Sequence, residues 1–201
     1  MDLLYAHQRT CVWRMTRRLE GHSSSLEYSV RGWPFFETTV SQLVTLATNI
    51  LDLGTAKAAE ALKRFEGRAQ SMSSLAMQAS YVAPVVAGVH GLLLDARRPP
   101  PLLPVDFEVQ MGDKTLAKWK DAEVVIKLQR KVVTAVLGSA KSLNFSDLRW
   151  GVADARLLVK ALPWCHQLHT LTLKGNMIFA EGAAALAAVL RENATSCTSL
   201  E

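Results

Sequence analysis

The stretch LHTLTLKGNMIFAEGAAALAAVL, Leu168 to Leu190, decides the fold. Leucines stand at 168, 171 and 173, an asparagine at 176 and an isoleucine at 178. Leu171 and Leu173 alternate with Thr170, Thr172 and Lys174, which predicts a short strand, apolar on one side and polar on the other. Asn176 ends that strand with a carboxamide that can bond backbone groups a turn leaves unpaired. From Glu181 to Arg191 the period changes. Ala185, Leu186, Val189 and Leu190 fall on one face at helical spacing.

The same frame recurs 28 residues earlier. Leu143, Phe145, Trp150, Leu158 and Leu162 stand where Leu171, Leu173, Ile178, Leu186 and Leu190 stand, and Asp154 stands where Gly182 does. A helix is predicted from about Val152 to Leu162, stopped by Pro163. One frame position departs, since Leu148 takes the place of Asn176. Internal periods of about 20–29 residues with this core mark strand-and-helix repeats.

The period, together with the run GAAALAAVL (Gly182 to Leu190), resembles the ribonuclease-inhibitor type of leucine-rich repeat, which has an α-helix in each unit. The resemblance covers about residues 140–201. It implies a βα solenoid with an extended surface that contacts a protein partner. The polar strand positions would carry that contact: Ser142, Asn144 and Ser146 in the first unit, Thr170, Thr172 and Lys174 in the second. Leu148 implies an atypical first unit that acts as a cap. Thr198 to Glu201 read as the start of a third unit. Repeat arrays need about three or more units, so this array reads as incomplete, with an open end through which copies self-associate.

Outward from the repeats, Trp119 to Leu137 follows an amphipathic helical pattern. Ala122, Val125, Ile126, Val132, Val133, Val136 and Leu137 share a face, with Lys127, Arg130 and Lys131 mostly opposite. A helix there would cover the apolar end of the solenoid. Before it, residues 97–105, with four prolines, read as a stiff extended linker.

In the N-terminal part, Thr10 to Thr16 predicts a strand and Pro34 to Leu51 a helix. Pro34 suits a first helical turn and Glu37 suits the positive end of the dipole. Phe36, Val40, Leu43, Val44, Ala47, Ile50 and Leu51 form the stripe, and Gly54 is the stop. Further helices are expected over about 55–69 and 71–94. The segment YSVRGWPFFETTVSQL (Tyr28 to Leu43) resembles the W-x-x-x-E region of TIR domains and the R-x-W-x-x-x-E stretch of heterokaryon-incompatibility domains. Arg31, Trp33 and Glu37 are the matching residues. The resemblance implies, as an alternative function, an NAD-cleaving enzyme with Glu37 as catalytic carboxylate, a group suited to stabilising oxocarbenium charge. Pro34 departs from the TIR pattern, where a cysteine stands. The plainer role is structural: Arg31 caps or pairs, Trp33 packs, Glu37 answers the dipole. The whole arrangement looks like that of leucine-rich-repeat families of algae and other protists, which implies an architecture and no activity.

Composition narrows the rest. The chain is 201 residues long, 49% hydrophobic and 20% charged, within the range of soluble globular proteins. The net charge of +5 is spread along the chain, and Arg14, Arg17 and Arg18 form its densest cluster. A nucleic-acid binder gathers its cations on one face, so no nucleic-acid partner is expected. Cys11, Cys165 and Cys197 are too few and scattered for a disulfide framework, which points to a reducing, cytoplasmic setting. The N-terminus carries no secretory pattern, and the sequon at Asn193 matters only in a secreted chain. The apolar heart of residues 69–94 is shorter than the roughly 20 residues a span needs. Cys165, His166 and His169 crowd together but are one ligand short of a closed zinc site. His7 and His22 have no nucleophile beside them, Ser23 to Ser25 read as a loop, and no glycine-rich phosphate loop occurs. No cofactor and no metal are expected. The expectation is an α/β protein: a mainly helical α/β segment (1–96), the linker (97–105), a capping-helix region (106–139) and the repeats (140–201).

Overall fold

Glycine at position 32 sets where the first helix starts. The Gly32 N–H donates to the Thr115 carbonyl at 2.9 Å, and Thr115 N–H donates to Val30 O at 2.8 Å. A side chain at Gly32 would sit 2.3 Å from Leu116 Cδ2, so the close approach requires glycine. These contacts belong to a computed structural model that describes residues 12–14, 16, 27–45, 50–52, 54, 98–118, 120–192 and 199–200. In chain order they form β1 (Val12–Arg14), a short 3₁₀ turn (Tyr28–Val30), α1 (Gly32–Ser41) and β2 (Ile50–Asp52). Then come α2 (Pro104–Met111), α3 (Asp121–Ser139), β3 (Ser142–Asn144), α4 (Val152–Ala161), a 3₁₀ turn (Leu162–Trp164), β4 (Thr170–Thr172), α5 (Phe179–Glu192) and β5 (Ser199–Leu200). The described residues form a mixture of helices and two small parallel sheets, β1-β2 and β3-β4-β5.

The helix expected over 34–51 is overturned in its second half. It ends at Ser41, and Ile50 and Leu51 belong to β2, paired with Val12 and Trp13. Phe36, Val40, Leu43, Val44 and Ile50 of the expected stripe are buried, but a turn and a strand carry part of it. Two local reasons are visible. Thr39 and Ser41 hydroxyls donate back to the carbonyls of Phe36 and Thr38, a pattern that competes with helix propagation. The carbonyls of Gln42 and Leu43 then go to Arg98, whose Nε and Nη2 each donate at 2.6 Å. A helix must satisfy its last carbonyls somewhere, and here a guanidinium does it. Gly54 is no helix stop either; its N–H donates to Asp52 Oδ1 after β2. The strand expected within 10–16 is β1, and Arg14 pairs with Asp52 at 3.8 Å. The helices expected over 55–69 and 71–94 lie outside the described residues.

Residues 98–103 run extended, as their prolines dictate, but they are packed and do not act as a spacer. Arg98 is 2% exposed. Its Nη1 donates to Asn144 O at 3.1 Å, and its guanidinium lies 4.6 Å from the Phe145 ring centroid. Its own carbonyl accepts the Trp150 indole N–H at 2.8 Å. Burial alone pulls its pKa down to about 9, so it stays charged at neutral pH. One side chain thus joins the end of α1 to β3.

α3 buries the stripe read from the sequence: Val125, Val132, Val133, Val136 and Leu137 are covered, while Lys127, Arg130 and Lys131 are exposed. It packs against α1, α2 and the 162–164 turn. Gln129 extends that face, and its Nε2 donates to Leu102 O at 2.8 Å.

In the second sheet Ser142, Leu143 and Asn144 pair with Thr170, Leu171 and Thr172, an offset of 28 residues. Thr170 and Leu171 pair in turn with Ser199 and Leu200. Leu143 and Leu171 point into the core at 1% and 0% exposure. α4 and α5 lie side by side beyond the strands. Gly182 permits that packing, because a side chain there would meet Ala155 Cβ at 3.1 Å and Ile178 Cγ2 at 2.5 Å.

Candidate functional site

The strand alternation puts small polar groups in rows. Ser142 stands beside Thr170, and Thr170 beside Ser199; Asn144 stands beside Thr172. Ser142 and Asn144 are exposed, Thr170 and Thr172 half-buried, so the rows face solvent from a sheet whose leucines face inward. Ser146 and Lys174 continue the rows just past the strand ends. The Ser146 N–H donates to Asn144 Oδ1 at 2.9 Å, and the Asp147 N–H donates to Lys174 O at 2.8 Å. Asn144 is therefore held from both sides, by Ser146 through its side chain and by Arg98 through its carbonyl. Ser142, Asn144, Thr170 and Thr172 come together as a polar strip, with Ser146 and Lys174 just past the strand ends. It offers hydroxyls, an amide and one ammonium, groups that recognise other polar groups by hydrogen bonds.

Asn176 builds the turn beneath this strip. Its Oδ1 accepts the N–H groups of Leu148 and Trp150 at 3.1 and 3.0 Å. Its Nδ2 donates to Phe145 O and Leu173 O, both at 2.7 Å. The bonding role expected of this residue is what the geometry gives, and it reaches across to the preceding unit. Gly175 stands at φ 74° beside it, and a side chain there would fall 2.0 Å from Asp147 Oδ1. Sequence reasoning missed Gly175, Arg98 and the Trp150 indole. A glycine directly before the frame asparagine was a readable signal for the first. The other two need contacts across 46 and 52 residues, which no local pattern shows.

The second candidate, Arg31, Trp33 and Glu37, sits at the start of α1. The helix begins at Gly32, two residues before Pro34, so Glu37 falls in the second turn. The dipole acts within about the first turn, which overturns the dipole role expected for Glu37. Burial raises its carboxyl above the ordinary glutamate range, and the Arg31 charge opposes that rise. Trp33 is part-exposed and meets Phe36 edge-on at 6.0 Å. Arg31 is exposed, and its backbone pairs with Thr115.

Cys165 is buried, and its Sγ donates to Ala161 O at 3.6 Å. Burial pushes the thiol up to about 12, well above the range of a reactive thiolate. His166 and His169 are exposed. Among the described residues no group of three His, Cys, Asp or Glu side chains can hold a metal ion. Among the same residues no helix is long and apolar enough to cross a membrane. His7 and His22 lie outside the described residues. No family model, curated protein or solved structure matches the chain.

Proposed function

We propose that the chain is a non-catalytic protein-interaction module, built as a short leucine-rich-repeat-type array in a cytoplasmic setting. One observation carries the reading. Two strand-turn-helix units lie in parallel at a 28-residue offset, and Asn176 of one unit completes the turn of the other. That geometry supports the solenoid reading, in which each unit contacts its neighbours. α3 then serves as the cap on the first unit. The polar strip of Ser142, Asn144, Ser146, Thr170, Thr172 and Lys174 is the partner-binding surface. Its small side chains favour a partner that supplies the larger groups, since hot spots concentrate in Trp, Tyr and Arg. Among the described residues β5 pairs with β4 alone and its Leu200 is exposed, and an unpaired strand edge is a template for pairing. Copies of the chain therefore associate through that edge.

Site-specific photocrosslinking tests the surface. A crosslinker at Thr172 is compared with one at Lys127, on the outer face of α3. A protein adduct formed at 172, absent at 127 and lost with Asn144→Arg supports the strip. Equal adducts at both positions, or adducts insensitive to Asn144→Arg, contradict it.

A further inference from the structure

A groove of about 290 Å³ lies between α1, the 99–103 segment and α2, away from the polar strip. Its walls include Phe35, Pro100, Leu102 and Leu157, with Gln42 and Asp106 among its polar groups. The volume sits at the low end of the roughly 300–1,000 Å³ of small-molecule pockets, enough for one or two side chains.

Three observations say what fits. Gln42 lines the groove, and among the described residues its carboxamide makes no hydrogen bond, so it is available to whatever enters. Its backbone is fixed, because Arg98 holds its carbonyl. Thr38, one turn earlier on α1, lines the same groove, and its hydroxyl is also unpartnered. A carboxamide offers one acceptor and two donors, the complement of a peptide link. Asp106 lies in the first turn of α2, and no ion pair to it forms among the described residues. The prolines give a wall that is rigid before binding, which lowers the ordering cost.

We propose that this groove binds an extended peptide segment that places an aliphatic side chain against Phe35 and Leu102. The peptide's backbone bonds Gln42, and a neighbouring lysine or arginine meets Asp106. The site is separate from the polar strip and goes beyond the reading of that strip.

The full chain, labelled with ¹⁵N, is titrated with two pools of acetylated, amidated hexapeptides. Each peptide has one fixed leucine. One pool carries a lysine one to three residues away, the other acetyl-lysine at the same places. The lysine pool should shift the amides of Thr38, Gln42 and Gln110 saturably. The acetyl-lysine pool should bind about tenfold more weakly, the loss of one charge-assisted contact. Asp106→Asn should erase that difference, and Gln42→Leu should weaken both pools. Thermal melts check that both variants fold. Equal affinity for the two pools, or no saturable shift at these amides, overturns the proposal. Shifts at Thr170 and Thr172 alone also overturn it, while leaving the polar strip as an interaction surface.

Discussion

The two strand-turn-helix segments, residues 142–164 and 170–192, pair their strands in parallel and end differently. In the first, Phe145, Leu148 and Trp150 are all buried, and the turn that carries them is closed by an asparagine from the second unit. In the second, the corresponding turn leaves Met177 52% exposed and Phe179 72% exposed. The 28-residue counterpart of Phe179 is Gly151, yet Phe179 adopts φ 54°, a conformation unfavourable for an aromatic residue. The difference teaches that a unit is completed by the next one along. The first unit has Asn176 on one side and Arg98 on the other; among the described residues the second has the short β5 beside it.

The largest break in that comparison comes from the first unit's tie to α1. Arg98→Met should cost about 3 kcal/mol or more, because carbonyls of Gln42, Leu43 and Asn144 lose their donor in a buried setting. Urea unfolding measures it, and a loss below about 1 kcal/mol would remove Arg98 from the account. Next is Asn176→Ala, expected to cost about 2–3 kcal/mol, since it strips partners from four backbone groups. Asn144→Ala, which removes one exposed local bond, should cost less than about 0.5 kcal/mol by the same melt.

Backbone conformation sharpens the contrast further. Gly175→Ala should destabilise by about 1 kcal/mol through its positive φ, while Phe179→Gly should stabilise by up to about 1 kcal/mol. Opposite signs in thermal melts would confirm that the two turns store strain in different places.

Much of the repeat region was legible because its signals are local. The period of two in Thr170–Lys174, the change to helical period after Glu181 and the Leu148/Asn176 exchange all stand within one unit's length. The helices expected from Val152 and from Glu181 begin at Val152 and Phe179. The N-terminal helix was misjudged for the opposite reason. Ile50 and Leu51 continue the stripe of α1 on paper, but the chain leaves the helix where a guanidinium 56 residues further on takes the Gln42 carbonyl. The polar strip was readable from strand alternation. The groove was not, because Gln42 and Asp106 meet only through the folding of the proline segment between them.

The smallest effect expected concerns Glu37. Its carboxyl titrates above the ordinary glutamate range because burial disfavours the charge. The folded chain therefore keeps a proton that the unfolded chain has released. Stability is greater below the ordinary glutamate range and declines as pH rises through the raised value. Glu37→Gln should remove that decline, so the variant gains slightly over the parent at pH 7 and not at pH 4. A larger pH dependence in the variant than in the parent would contradict the assignment.

The central claim is that Asn176 closes the turn of the unit before it. Native-state hydrogen exchange at the amides of Leu148 and Trp150 tests it most directly, in the parent chain and in Asn176→Ala. Both amides should be protected in the parent and lose protection in the variant, while amides inside α4 keep theirs. Unchanged protection at Leu148 and Trp150 would mean that the two units are not joined in this way.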